Sequence, residues 1–195
     1  MKKIQSELPI FYETALAELA SALEMLAACK GTDSPKQALG YFMHAKDEYN
    51  HARSFFKMLS VRGKRASIKT ARDFRFKPPS LITKGYISKK GFLIETMKLK
   101  DFIAFVYTNE LLAKSSFENI LTLVGRRTKE GVEISRIMSD ELRHHGMAKK
   151  HFLNHYPALQ PWQLMIYRMR ETINNKGRKI YDANLKFLDR LLTPL

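Results

Sequence analysis

The feature that most limits how this chain can fold is a repeated set of acidic and histidine residues. Glu48 with His51 forms one Glu-x-x-His tetrad and Glu141 with His144 another, and equivalent positions lie 93 residues apart. A further glutamate precedes each: Glu18 stands 30 residues before Glu48, and Glu110 stands 31 before Glu141. An i, i+3 spacing places both side chains of a tetrad on one helix face, where they can bind the same metal ion. The repeat predicts two similar helical hairpins, each presenting Glu … Glu-x-x-His.

Hydrophobic periodicity supports this. Leu8, Phe11, Tyr12, Ala15, Leu19, Ala22, Met25 and Leu26 form a stripe at helical spacing, with Glu18 inside it and Glu13 and Glu24 outside. Leu99, Ile103, Val106, Ala113, Phe117, Ile120 and Val124 form a second, with Glu110 in its middle and Glu118 outside. A carboxylate on a core-facing stripe must be paired, protonated or metal-bound, because an unpaired buried charge is very costly. Buried Glu–His or Glu–Arg pairs without metal are therefore the alternative to a ligand set. Apolar neighbours also flank the tetrads: Tyr41, Ala45 and Phe55 near the first, and Ile134, Ile137, Ala148 and Phe152 near the second.

The same reading predicts helices over about 4–30, 34–62, 92–124, 129–156 and 161–192, the last weakened at Asn174–Gly177. Gly31, Gly63, Gly125 and Pro157 are the stops, and Ser34 with Pro35 the start of the second helix. Short connections make the first two helices one antiparallel pair and the next two another. A longer segment, about 63–91, joins the pairs. This predicts an all-α four-helix bundle with one long crossover over 1–157, and an added C-terminal helix over 158–195. No stretch of 18 apolar residues and no secretory signal pattern are found, which suggests a cytoplasmic protein. The lone Cys29 excludes a disulfide scaffold and a thiolate zinc site.

Charge adds a second layer. The net charge is +15, and the segment 62–100 holds twelve basic residues against two acidic ones. The last helix carries seven basic residues against three acids. Both segments suit an anionic partner, and the basic amphipathic last helix suits either a membrane surface at the inner face or packing on the bundle. Four carboxylates and two imidazoles form a hard, oxygen-rich donor set, which favours iron or manganese over structural zinc.

At these residues the chain resembles the ferritin-like di-iron carboxylate superfamily over about 150 residues. The runs Asp47-Glu48-Tyr49-Asn50-His51 and Asp140-Glu141-Leu142-Arg143-His144 also resemble the Asp-Glu-x-Arg-His motif of bacterial multicomponent monooxygenases. The resemblance implies two iron ions, or a manganese–iron pair. Glu18, Glu48 and His51 would mainly serve one ion and Glu110, Glu141 and His144 the other, with the tetrad glutamates bridging. It implies that Asp47 and Asp140 support ligand histidines and that Arg143 assists, while Asn50 departs from the motif. Tyr107, one turn before Glu110, can hydrogen-bond near the metals or simply fill the core. His44, on the turns before Glu48 and His51, can line a cavity but is expected to be partly exposed, and His145, His151 and His155 to lie at the surface or a helix end.

The implied function is a di-iron oxygenase or hydroxylase. It would use dioxygen and an electron donor to oxidise an organic substrate that is anionic, carrier-bound or membrane-associated, with a homodimer as one assembly open to it. Two alternatives remain. One is a ferroxidase or rubrerythrin-like peroxide scavenger, disfavoured by the missing Cys-x-x-Cys segment. The other is a nucleic-acid- or membrane-binding protein with a structural di-metal site.

Overall fold

The computed structural model describes residues 2–66, 80–83 and 85–155. Every regular element among them is a helix: α1 (Lys2–Lys30), α2 (Pro35–Ala66), α3 (Ser80–Thr83), α4 (Leu93–Thr96), α5 (Leu99–Val124) and α6 (Lys129–His155). The expected all-α class is therefore met. The expected C-terminal helix, and much of the basic crossover, lie outside the described residues.

Several helix ends follow local chemistry. The Gln37 amide donates to Ser34 Oγ at 3.4 Å, so Ser34 caps α2, and Pro35 fills the first helical position, where no amide hydrogen is needed. Helix α5 ends at Gly125, whose φ of 89° is a conformation that favours glycine. Thr128 Oγ1 then accepts from the Gly131 amide at 3.0 Å and opens α6. Gly131 is fixed by space: a Cβ there would collide with the Gly125 carbonyl oxygen and stand 3.0 Å from the Arg126 backbone.

One expected helix is shorter than its periodicity suggests. The third helix was expected from about Phe92, but Met97 and Lys98 are extended and separate the single turn α4 from α5. The reason is a set of competing partners. The Phe92 amide donates to Glu95 Oε2 at 3.1 Å, and the Leu93 amide donates to Glu24 Oε2 at 2.8 Å, fastening α4 to α1. Glu24, expected off the apolar stripe, is consequently buried, and burial raises its pKa above the ordinary carboxylate range. Leu26 and Leu99, placed on apolar stripes, are 44% and 49% exposed.

The described residues divide into two compact units, one comprising those up to 98 with 117–140 and the other residues 99–116 with 141–155. In the first, Phe11 meets Phe55 at 6.1 Å and Glu18 meets His51 at 3.3 Å, so α1 and α2 run antiparallel. Arg62 with Glu130, Ser54 with Glu133 and His51 with Asp140 set α2 antiparallel to the first half of α6. Phe55 also stacks on Phe117 at 5.8 Å, and Ile134 and Ile137 are fully buried in this unit. In the second unit, Tyr107 stacks on Phe152 at 4.8 Å and on His145 at 5.3 Å, while Glu110 faces His144. These pairs set the first part of α5 antiparallel to the last part of α6.

Candidate metal centre

Helical spacing decides which side chains of α2 turn inward. His44, Glu48 and His51 are separated by four and then three residues and share one face. All three are buried, with His51 at 0% exposure and His44 at 5%. The burial of His44 corrects the expectation that it is partly exposed. Its Nε2 lies 3.1 Å from Glu48 Oε1. Glu18 reaches the same region from α1 and is buried too.

The ring of His51 is held from both sides. Its Nδ1 lies 3.3 Å from Glu18 Oε2, and its Nε2 lies 3.3 Å from Asp140 Oδ2. A neutral imidazole carries a single N–H. If Nε2–H donates to Asp140, the lone pair on Nδ1 faces the Glu18 carboxylate, and a cation between them turns this opposition into attraction. A carboxylate on the far nitrogen of a ligand histidine fixes its tautomer and raises its basicity.

Ligand atoms of Glu18, Glu48 and His51 all lie within 4.8 Å of one another. A first-row ion sits about 2.0–2.2 Å from carboxylate and imidazole donors, so opposite donors stand at most roughly 4.4 Å apart. The span therefore fits one ion after small adjustments, and this buried cluster could hold a metal. The donors are hard oxygens with imidazole, consistent with iron or manganese as with other first-row ions.

The second unit carries Glu110, Glu141 and His144, all buried, with His144 at 1% exposure. His144 Nδ1 and Glu110 Oε2 are 4.0 Å apart, beyond hydrogen-bonding distance but within the span of two donors on one ion. Glu141 lies one turn before His144 on the same helix face. Tyr107 is buried, and its ring stacks with that of His145 and with that of Phe152. His145 and His151 are half-buried, and His155 is exposed with its ring edge-on to His151.

Arg136 was not singled out by the sequence. Its Nη1 donates to Asp140 Oδ2 at 3.3 Å, and its Nε and Nη2 donate to the two oxygens of Glu133 at 3.2 and 2.9 Å. Ser54 Oγ donates to Glu133 Oε1 at 2.6 Å. The Arg136 hydrogen bonds, with help from Ser54, hold the Glu133 pKa down at about 2. Half-buried Asp47 lies close enough to add to the negative field around Arg136. Arg143, the assisting arginine suggested by the motif, is exposed, and Arg136, one turn before Asp140, also donates to that carboxylate. The spacing of Glu133, Arg136 and Asp140 at i, i+3 and i, i+4 was the available signal.

Among the described residues no helix is long and apolar enough to cross a membrane. No protein-family model matches the chain, and no match was found among curated proteins or solved structures.

Proposed function

We propose that this protein is a di-metal oxidoreductase that uses dioxygen to oxidise an organic substrate. Glu18, Glu48 and His51 hold one ion, and Glu110, Glu141 and His144 hold the other. The observation that carries this reading is the arrangement around His51: a fully buried imidazole with Glu18 at one nitrogen, Asp140 at the other, and Glu48 within ligand reach. The second Glu … Glu-x-x-His set, equally buried and at matching spacing, supports a second ion. The resemblance of both tetrads to ferritin-like di-iron proteins supports the choice of chemistry.

When bound, a pair of iron ions supplies two-electron reduction of dioxygen. The protein's part is to hold and shield the ions. Asp140 keeps the proton of His51 on Nε2, so that Nδ1 faces the ion. Arg136 orients Asp140 by donating to its Oδ2. Burial of the donors keeps bulk water from the carboxylates, which strengthens their attraction for a cation. The basic segment 62–100 gives an anionic substrate or carrier a favourable approach.

The test is anaerobic loading with ferrous iron, metal analysis and oxygen-uptake measurement. About two iron ions per chain are expected, with rapid oxygen consumption afterwards. Loss of loading in Glu18→Ala and Glu141→Ala ties the metal to these residues. A folded protein that binds no iron would leave buried ion pairs as the better account. Uptake that only deposits ferric iron would favour a ferroxidase.

A further inference from the structure

We propose that the outward face of α2 docks on an anionic phospholipid surface. This goes beyond the di-metal reading and stands without it, because none of the residues involved is a metal donor. On that face Leu39, Phe42, Met43 and Tyr49 are 61%, 50%, 41% and 51% exposed. Lys36, Lys46, Arg53 and Lys57 are exposed among them. At 3.6 residues per turn these positions fall within an arc of about 140°, on the side of the helix opposite to Glu48 and His51. Single exposed apolar residues need no explanation, but four large ones along one helix face, interleaved with charge, mark an interaction surface.

Charge names the kind of partner. Between residues 35 and 61 α2 has no exposed acid: Asp47 is half-buried and Glu48 is buried. On α6, packed against α2, Glu133 and Asp140 accept hydrogen bonds from Arg136. The face is therefore cationic as well as apolar, and its partner must supply both negative charge and an apolar layer. An anionic bilayer supplies them at two depths. Its phosphates meet the lysine and arginine heads, while Leu39, Phe42 and Met43 enter the boundary between headgroups and acyl chains. The long lysine and arginine stems let their heads stay at the phosphates as the apolar groups sink. From Lys36 to Lys57 the stripe runs about 32 Å at 1.5 Å per residue, which suits an extended surface. Nucleic acid offers the phosphates but no apolar layer for Leu39 and Met43.

The test is sedimentation of the full-length protein with vesicles of phosphatidylcholine alone or mixed with phosphatidylglycerol. Binding is expected to the mixed vesicles only. Phe42→Ser with Met43→Ser, and separately Lys46→Glu with Arg53→Glu, should each lower the partition coefficient at least about tenfold. Lys149→Glu with Lys150→Glu makes the same change in net charge at exposed positions of α6 and should lower it less. Circular dichroism checks the helix content of each variant, and if one α2 pair unfolds the other decides. A wild type that ignores the mixed vesicles overturns the proposal. So does wild-type binding in a folded α2 pair, or an equal loss in the two charge-reversal pairs. Wild type that binds single-stranded RNA but no vesicles, with RNA binding lost in the α2 pairs, makes nucleic acid the partner and also overturns it. Iron loading is expected to stay at the wild-type level in every variant, so the docking face and the di-metal reading fail separately.

Discussion

The two donor sets share a spacing but differ in surroundings. Around Glu18, Glu48 and His51 the environment is polar. Asp140 backs His51, Arg136 backs Asp140, and His44 stands beside Glu48. Around Glu110 and His144 the described contacts include the stacked rings of Tyr107, His145 and Phe152. One turn before Glu110 is Tyr107, whereas one turn before Glu18 is the fully buried Ala15. A duplicated ligand pattern therefore does not make duplicated sites. The carboxylates and histidines set what can bind, while their neighbours set how tightly and with what shape.

The strongest test of this contrast removes one donor set at a time. Glu48→Ala and Glu141→Ala are each expected to lower metal loading from about two ions per chain to one or none, read by metal analysis after gel filtration. Full loading in either variant would break the assignment. Next in size is Phe55→Ala, which opens the stacked core of the first unit between Phe11 and Phe117 and is expected to cost about 3–5 kcal/mol in chemical denaturation. Asp140→Asn is expected to weaken metal binding about 10–100-fold while sparing the fold. Asp47→Asn is expected to do less, because Asp140 is the carboxylate that contacts His51. Equal losses in calorimetric titrations of the two would erase the asymmetry.

The smallest effects concern pH and set two glutamates of the first unit against each other. Glu133 is held at about 2, chiefly by Arg136. Its stabilising contribution is complete above its ordinary range near 4.5 and is lost as pH falls through about 2. The Glu24 pKa is raised by burial, with the Leu93 amide opposing, so its contribution has the opposite sign and stability declines as pH climbs past 4.5. Thermal melts from pH 3 to 7 should show Glu133→Gln flattening the first trend and Glu24→Gln the second. Because 36% of the Glu133 side chain is exposed and its Arg136 partner is more exposed still, its effect should stay below about 1 kcal/mol.

Much of the donor set was legible because it breaks a pattern. Glu18 and Glu110 interrupt apolar stripes, and the stripes are what bury them. Ser34-Pro35 and Gly125 mark helix ends by local chemistry alone. His44 was harder to place because α2 also exposes Leu39, Phe42, Met43 and Tyr49, which blurs its inward face. Glu24 and the break at Met97 depend on α4 folding back onto α1, a contact between residues 69 apart that no local pattern encodes. Arg136 was visible as an ion-pair spacing, but its link to His51 exists only once α2 lies antiparallel to α6.

Gly131 has no side chain to bind anything, yet the Gly125 carbonyl oxygen occupies the space that any Cβ would need. A larger residue would displace the start of α6, and with it Asp140, nine residues and about two and a half turns further along. In a saturation-mutagenesis screen scored on metal content, position 131 should therefore behave like a ligand. A mutational map alone would count it among the chemical groups, when its part is that of a spacer setting where they stand.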